Sequence, residues 1–80
     1  MIRLTRHARE ATEERQIPLA WVLAAVETPD WVSGDPRHPD RTRSFKVIAA
    51  HGRRILRVVH RPDGADTVVI TAHFDRGARR

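Results

Sequence analysis

The C-terminal half of the chain contains three runs of β-branched and other apolar residues, separated by two short segments of turn residues. β-Branched residues favour strands, and Asp-Gly favours the turns between them. This pattern predicts an antiparallel meander, which needs a second layer to bury one of its faces. The predicted strands are residues 43–51, 53–61 and 66–74.

Two helices are predicted before the strands. Residues 5–15 form a helix that Thr5 can cap, and residues 18–28 form a second helix with Pro18 in its first turn. Apolar residues at spacings of three and four predict the buried stripe of the second helix. This stripe consists of Leu19, Val22, Leu23 and Val26.

The remaining segments complete a single domain over residues 1–80. Residues 29–42 hold three prolines and a glycine and predict a loop. Residues 1–4 form either a short strand or a lead-in to the first helix, and residues 76–80 form a tail. We therefore expect an α+β fold with two N-terminal helices packed on one face of a three- to four-stranded antiparallel sheet.

Alternation along the strands sorts the side chains onto two faces once the turns are assigned. A two-residue first turn and an odd second turn create an apolar face toward the helices. An even second turn would put Arg57 among apolar residues, which is costly, so the odd turn is preferred. The predicted apolar face holds Phe45, Val47, Ala49, Leu56, Val58, His60, Val68, Ile70, Ala72 and Phe74. The opposite face holds Lys46, Arg57, Arg61, Thr71 and His73, with Ile48, Ile55, Val59 and Val69 between them.

The charge of the chain favours polyanionic partners. Fifteen lysines and arginines oppose ten acidic residues, and all but one of the fifteen are arginine. Arginine binds phosphate through two parallel hydrogen bonds and stacks on bases. A GC-rich genome also enriches arginine, and this alternative stays open.

Several classes of protein are excluded or disfavoured. The chain has no cysteine, so it has neither a disulfide nor a thiolate nucleophile. No run approaches the roughly 20 apolar residues that span a bilayer. The first ten residues are too charged for a secretion signal. We expect a cytoplasmic protein without a membrane partner.

Two stretches resemble a known family. They are "TRHAREATEERQIPLAWVLAAVETPDWV" and "RSFKVIAAHGRRILRVVHRPDGADTVVITAHFDR". Together they resemble the family called domain of unknown function 4258, which is placed near the RelE-like and BrnT-like toxins. Those toxins are small basic ribonucleases with helices followed by an antiparallel sheet. The resemblance covers nearly the whole chain, and the positions that match the family motif are His7, Arg15, Arg57 and Thr71.

The resemblance and the residue chemistry together select candidate site residues. His7 could act as a general acid or base, or could be a structural helix residue. Arg57 could clamp a phosphate, or could pair with a helix carboxylate. Thr71 completes the predicted catalytic set. The predicted substrate-binding residues are Arg15, Lys46, Arg61 and His73. Arg15 could instead stabilise the end of its helix.

The histidine spacing does not suggest a metal site, and no glycine-rich phosphate loop is present, so neither a metal nor another cofactor is expected. The leading hypothesis is a metal-independent RNA-cleaving toxin that an antitoxin protein controls. RNA or another polyanion is the expected partner. The rival is a non-catalytic module that binds nucleic acid or protein on the same fold. The chain lacks tyrosine and has one lysine, unlike several RelE-like toxins, and this favours the rival.

Overall fold

A computed structural model describes residues 1–79 of the chain. It contains two helices and five strands, with a short 3₁₀ turn between the third and fourth strands. Of the predicted tail, Arg80 lies outside the described residues. The elements are β1 (Ile2–Leu4), α1 (Arg6–Glu14), α2 (Leu19–Glu27), β2 (Trp31–Gly34), β3 (Thr42–Ile48), the 3₁₀ turn (Ala49–His51), β4 (Arg54–Asp63) and β5 (Asp66–Phe74).

The five strands form one mixed sheet in the order β1-β5-β4-β3-β2. β1 pairs with β5 in parallel, and the other neighbours are antiparallel. The α+β class is confirmed, but the expected three- to four-stranded, wholly antiparallel sheet is wrong. The N-terminal residues form a strand, and the segment predicted as a loop over 29–42 contains β2, whose Trp31 pairs with Phe45.

Helix α1 is bounded by two local signals. The Thr5 hydroxyl accepts a hydrogen bond from the Ala8 N–H at 3.1 Å, which caps the first turn. At the other end Gln16 has a φ of 56°, and Ile17 N–H donates to the Thr12 carbonyl at 2.8 Å. This is a Schellman ending with glutamine in the left-handed position. It turns the chain sharply into α2 and leaves Ile17 buried.

Helix α2 is rotated relative to its predicted orientation. Val22 and Ala25 are fully buried, and Trp21 and Val26 pack against the core, whereas Leu19 is 54% exposed. The predicted stripe is therefore wrong at Leu19. The buried residues of α2 are those that face β3 and β4. A side chain as small as that of Ala25 fills its position there because the helix lies close to the sheet.

The connection between β3 and β4 decides which residues of β3 face the helices. Ile48 pairs with Arg54, so five residues rather than two connect the strands. Directly paired residues share a face, and Phe45 pairs with Arg57 while Lys46 pairs with Leu56. The predicted faces of β3 are therefore exchanged, because a shift of one residue inverts every side chain of a strand.

A β-bulge decides the faces of β5. Val59 pairs with Thr71 and His60 pairs with Val69, so Ile70 is an additional residue on β5. Asp63 pairs with Asp66, so the second turn has two residues and the predicted odd turn is wrong. The additional residue of the bulge reverses the faces again, so Ala72 and Phe74 still lie with Leu56 and Val58 toward the helices. Beyond the bulge Val69, rather than Val68 or Ile70, enters the core cluster.

The core therefore lies between the two helices and one face of the sheet. Its members are Ala8, Ile17, Val22, Ala25, Ile48, Leu56, Val58, Val69 and Ala72. In the described chain both helices pack on this side, and we call the other side the open face. The open face is defined by Arg43, Phe45, Arg57, Val59, Thr71 and His73. Neither helix among residues 1–79 is long and apolar enough to cross a membrane.

Candidate functional site

Three polar side chains from β4 and the end of β5 meet on the open face. Arg57 Nη2 donates to His73 Nε2 at 2.8 Å, and Arg57 Nη1 lies 3.2 Å from Asp75 Oδ2. Arg57 and His73 are directly paired across the two strands, and Asp75 follows at the next position on the same face. The Arg57 and Asp75 side chains are about one-fifth exposed, so the cluster is reachable but largely shielded from water.

The contact with Arg57 determines the protonation state of His73. A guanidinium has only donors, so the Nε2 atom that it contacts must carry the lone pair, and the proton lies on Nδ1. Burial, followed by the charge of Arg57, lowers the pKa of His73, while Asp75 opposes this effect. Arg15 and Arg43 lower it further. His73 is therefore a neutral imidazole at neutral pH.

A second arginine–carboxylate pair lies on the open face beside the first. Arg43 Nε is 3.6 Å from Asp35 Oδ2, and the Asp35 side chain is 11% exposed. The N–H groups of Arg37 and His38 donate to Asp35 Oδ1. The hydrogen bond from Arg37 is the main cause that lowers the pKa of Asp35, and burial opposes it. Asp35 thus fixes the conformation of its own loop through hydrogen bonds and positions Arg43 through an ion pair.

Three arginines have a buried Nε donor without a hydrogen-bond partner among residues 1–79, namely Arg41, Arg43 and Arg57. Arg43 Nε nevertheless faces Asp35 in an ion pair at 3.6 Å. Because these Nε atoms are shielded from solvent, an anion at Arg43 or Arg57 would accept from the outer Nη groups, whose geometry matches phosphate.

Arg15 reaches the same region from the end of α1. Its Nη1 donates to the Ala72 carbonyl at 3.3 Å, which covers an edge of β5 that β1 does not pair with. Its charge acts on His73. The side chain of Arg15 thus bonds a strand carbonyl and not the end of its own helix, and its predicted role in substrate binding stays a prediction.

Thr71 and Arg61 also lie on the open face. Thr71 pairs with Val59 and is half-buried one position from His73 along the face. Arg61 pairs with Val68, and Arg3 pairs with Val68 from the other side, so both cations flank one valine. Arg3 forms ion pairs with Asp63 and Asp66. Past the bulge the charge of Arg3 is therefore balanced by aspartates, and Arg61 is the cation of this face that forms no ion pair among residues 1–79.

Two predicted site residues lie elsewhere. Lys46 is on the helix side of the sheet, where its Nζ donates to the Thr28 carbonyl at 2.7 Å and caps the end of α2. Its predicted place on the face with Arg57 is wrong because the β3 register differs. His7 is exposed on α1, and no contact within residues 1–79 joins it to Arg57 or His73.

Sequence reasoning missed Asp75, Arg43 and Asp35. Asp75 was assigned next to the tail, although it continues the alternation of Thr71 and His73, which was a usable signal. Arg43 joins Arg57 on one face only in the observed register. Asp35 is brought to Arg43 by the β2–β3 connection, and residue spacing gives no sign of that contact.

The groups of this site are of the types that take part in anion binding and proton transfer. Its arginines exceed its carboxylates, and its imidazole is neutral. Among the described residues, no three histidine or acidic side chains group as metal ligands. Phosphate recognition by arginine, together with proton transfer at an imidazole, is the chemistry that these groups offer.

Acid should destabilise the fold through two histidines. Burial lowers the pKa of His60, which lies 2.7 Å from the Ser44 hydroxyl, and burial and Arg57 lower that of His73. A lowered folded-state pKa means that the unfolded chain binds more protons. The free energy of unfolding should therefore be highest above about pH 6.5 and fall from there toward about pH 5.

Urea unfolding of the wild type, His60→Gln and His73→Gln across this pH range measures the effect. In each variant the free energy of unfolding should decrease less than in the wild type as the pH falls. Equal pH dependence in all three proteins would show that neither histidine is responsible.

Comparisons with known proteins identify the family but not an activity. A comparison with curated proteins and one with solved structures returned no match. A family model matches residues 4–74, which include both helices, strands β2 to β5 and all of the predicted site residues. The chain therefore belongs to the family described as Domain of unknown function (DUF4258).

Proposed function

We propose that this protein is a metal-independent endoribonuclease that binds RNA on the open face of its sheet. The observation that carries the proposal is the contact between Arg57 and a neutral His73 on a face that also carries Arg43. Single-stranded RNA supplies the accepting phosphates, and a face of arginines is the usual electrostatic surface for such a backbone.

The geometry suggests how the substrate would activate the site. In the free protein, Arg57 occupies the His73 lone pair. A phosphate that accepts hydrogen bonds from Arg57 competes with His73 for the guanidinium and releases Nε2. His73 then takes the proton of the ribose 2′-hydroxyl while the 2′-oxygen attacks phosphorus. The bond to the 5′-oxygen breaks, and that oxygen takes a proton from water.

The arginines would stabilise the charge that develops on the phosphorus oxygens. Arg57 and Arg43 are held on the face by Asp75 and Asp35, so they need little reorganisation when the reaction occurs. Thr71 adds a hydroxyl donor on the same face. In this scheme His73 replaces His7 as the proton acceptor, because His7 lies on α1 without contact to the cluster in the described chain.

The biological role that we propose is that of a toxin controlled by an antitoxin. Helices that precede antiparallel strands are also the arrangement of the RelE-like and BrnT-like toxins, and this likeness supports the role. The antitoxin would be a protein that covers the open face and neutralises its arginines. Induction in a bacterial host should then arrest growth, and a co-expressed antitoxin should restore it.

The direct test is cleavage of labelled single-stranded RNA by the purified protein in the presence of EDTA, with and without ribosomes. We expect cleavage by the wild type and a loss of about 100-fold or more in His73→Gln, the usual range for a general base. Arg6→Ala is the control, because Arg6 is an exposed cation on α1 that pairs with Glu10. Intact RNA under both conditions would contradict the proposal.

A non-catalytic RNA-binding module is the second candidate. One observation favours it: the only lone pair of the His73 ring is already used by Arg57, so the free protein presents no available base there. Under this alternative the wild type leaves RNA intact. Arg57→Met still weakens RNA binding and reduces its salt dependence.

A further inference from the structure

A cavity lies at the end of the sheet, where β4 begins and β5 ends. Its volume is about 330 Å³. Ligand pockets start at about 300 Å³, so this one suits a small ligand of roughly the size of one nucleotide. The lining residues are Arg53, Arg54, Ile55, Phe74, Asp75 and Arg76.

The cavity wall is strongly positive. Three of its six residues are arginines, and Asp75 is its one acid. The Asp75 carboxylate is already paired with Arg57, so it does not neutralise the cavity. Within residues 1–79, neither Arg53 nor Arg76 forms an ion pair. Their guanidinium groups are therefore available for an anion.

The cavity also has an aromatic wall. Phe74 is half-buried, and its ring contacts Trp21, which packs against the core, and the exposed His51. The guanidinium of Arg54 lies over the Phe74 ring, 5.6 Å from its centroid. Aromatic rings and arginine planes are the surfaces on which unpaired bases stack. Arginine side chains and an aromatic ring thus border the same cavity.

The backbone holds Arg53 in an unfavourable conformation. Arg53 has a φ of 59° directly after Gly52 at 63°. The left-handed region is disfavoured for a residue with a side chain, and glycine would fit there at no cost. Strain of this kind is concentrated at binding and catalytic sites. Replacing Arg53 with glycine would therefore remove the side chain without straining the backbone.

The cavity is continuous with the open face. Asp75 lines the cavity and also holds Arg57, so one carboxylate joins the two sites. We propose that the cavity binds the nucleotide next to the phosphate held by Arg57, with its base against Phe74 and its phosphate on Arg53 and Arg76. This inference depends on the proposed function, because it takes the ligand to be a single-stranded RNA.

Binding of a labelled 2′-O-methyl oligonucleotide tests the proposal, since this probe lacks the attacking hydroxyl and reports binding without cleavage. Fluorescence anisotropy at several salt concentrations compares the wild type with Arg53→Gly and Arg76→Ala. Each variant should bind about three-fold or more weakly, with a salt slope smaller by about 0.7. Arg53→Gly removes the side chain and also relieves the backbone. Arg6→Ala is the matched control.

A second probe tests the aromatic wall. An oligonucleotide with one abasic position at the cavity should bind the wild type about five-fold or more weakly than the intact strand. Phe74→Leu should abolish this difference, with folding checked by circular dichroism. An abasic penalty that is unchanged in Phe74→Leu would overturn base recognition by the ring.

The outcomes separate this inference from the proposed function. If Arg53→Gly and Arg76→Ala bind as tightly as Arg6→Ala does while Arg57→Met still weakens binding, the cavity proposal is wrong and the RNA-binding face stands. If the wild type neither binds the oligonucleotide nor cleaves RNA, both proposals fail. If adenosine monophosphate binds in an Arg53-dependent manner but oligonucleotide binding is unchanged in the variants, the cavity takes a free nucleotide and the RNA inference is overturned.

Discussion

Replacing Arg57 with methionine should reduce RNA cleavage by about 100-fold or more and leave the fold intact. Removing a group that stabilises developing charge commonly costs 10²–10³ in rate, which corresponds to about 2.7–4 kcal/mol. Methionine keeps the apolar stem that packs on the sheet. Asp75 and His73 remain partly accessible to water, so neither is left as a fully buried unpaired group.

The variant Arg57→Lys separates the effect of the positive charge from that of the guanidinium geometry. Lysine keeps the positive charge but is a point charge without the guanidinium fork, so it cannot hold Asp75 and His73 in the same way. We expect Arg57→Lys to retain RNA binding and to lose most of the cleavage. Initial rates on labelled RNA with EDTA, beside Arg6→Met as the control, measure both effects. A folded Arg57→Met protein that cleaves at the wild-type rate would exclude Arg57 from the site.

Leu56→Ala should cost about 2–5 kcal/mol of folding free energy. Leu56 is fully buried, is the third residue of β4, and lies between Lys46 on β3 and Phe74 on β5. A domain of this length is stabilised by roughly 4–12 kcal/mol in total. The substitution should therefore remove a large fraction of the stability and lower the urea midpoint accordingly.

Leu19→Ala is the matched control, because it makes the same chemical change at a position that is 54% exposed. Its expected effect is within about 0.5 kcal/mol. The periodicity of the sequence predicts the reverse for Leu19, since this residue begins the apolar stripe of α2. A large loss of stability in Leu19→Ala and a small one in Leu56→Ala would contradict the packing described here.

Much of the open face could be predicted from residue alternation. Arg57, Thr71 and His73 were assigned to one face, and the structure places them there. Lys46 was assigned to the same face and lies on the other one, and Arg43 and Asp75 were not included. The difference has one main cause. The alternation within a strand is local, whereas the partner of each residue depends on the exact length of the connection between strands.

His7 shows a different limit on predicting site residues from the sequence. Its position in the family motif suggested catalysis, and its position on α1 also suited a helix surface. The structure leaves it exposed and brings His73 to Arg57 instead. A motif position does not say which groups meet, because that depends on how α1 packs against β5.

The sequence by itself determined the elements that local forces control. Helix propensity, the Thr5 cap and Pro18 define the two helices, and β-branched runs define the three long strands, because these effects act between residues a few positions apart. Only the tertiary structure decided the rest. β1 and β2 are too short to be stable alone and exist because β5 and β3 pair with them. The five-residue connection after β3 and the bulge at Ile70 decide which side chains of β3 and β5 face the helices. A change of one residue at either place would reverse the faces of the strand.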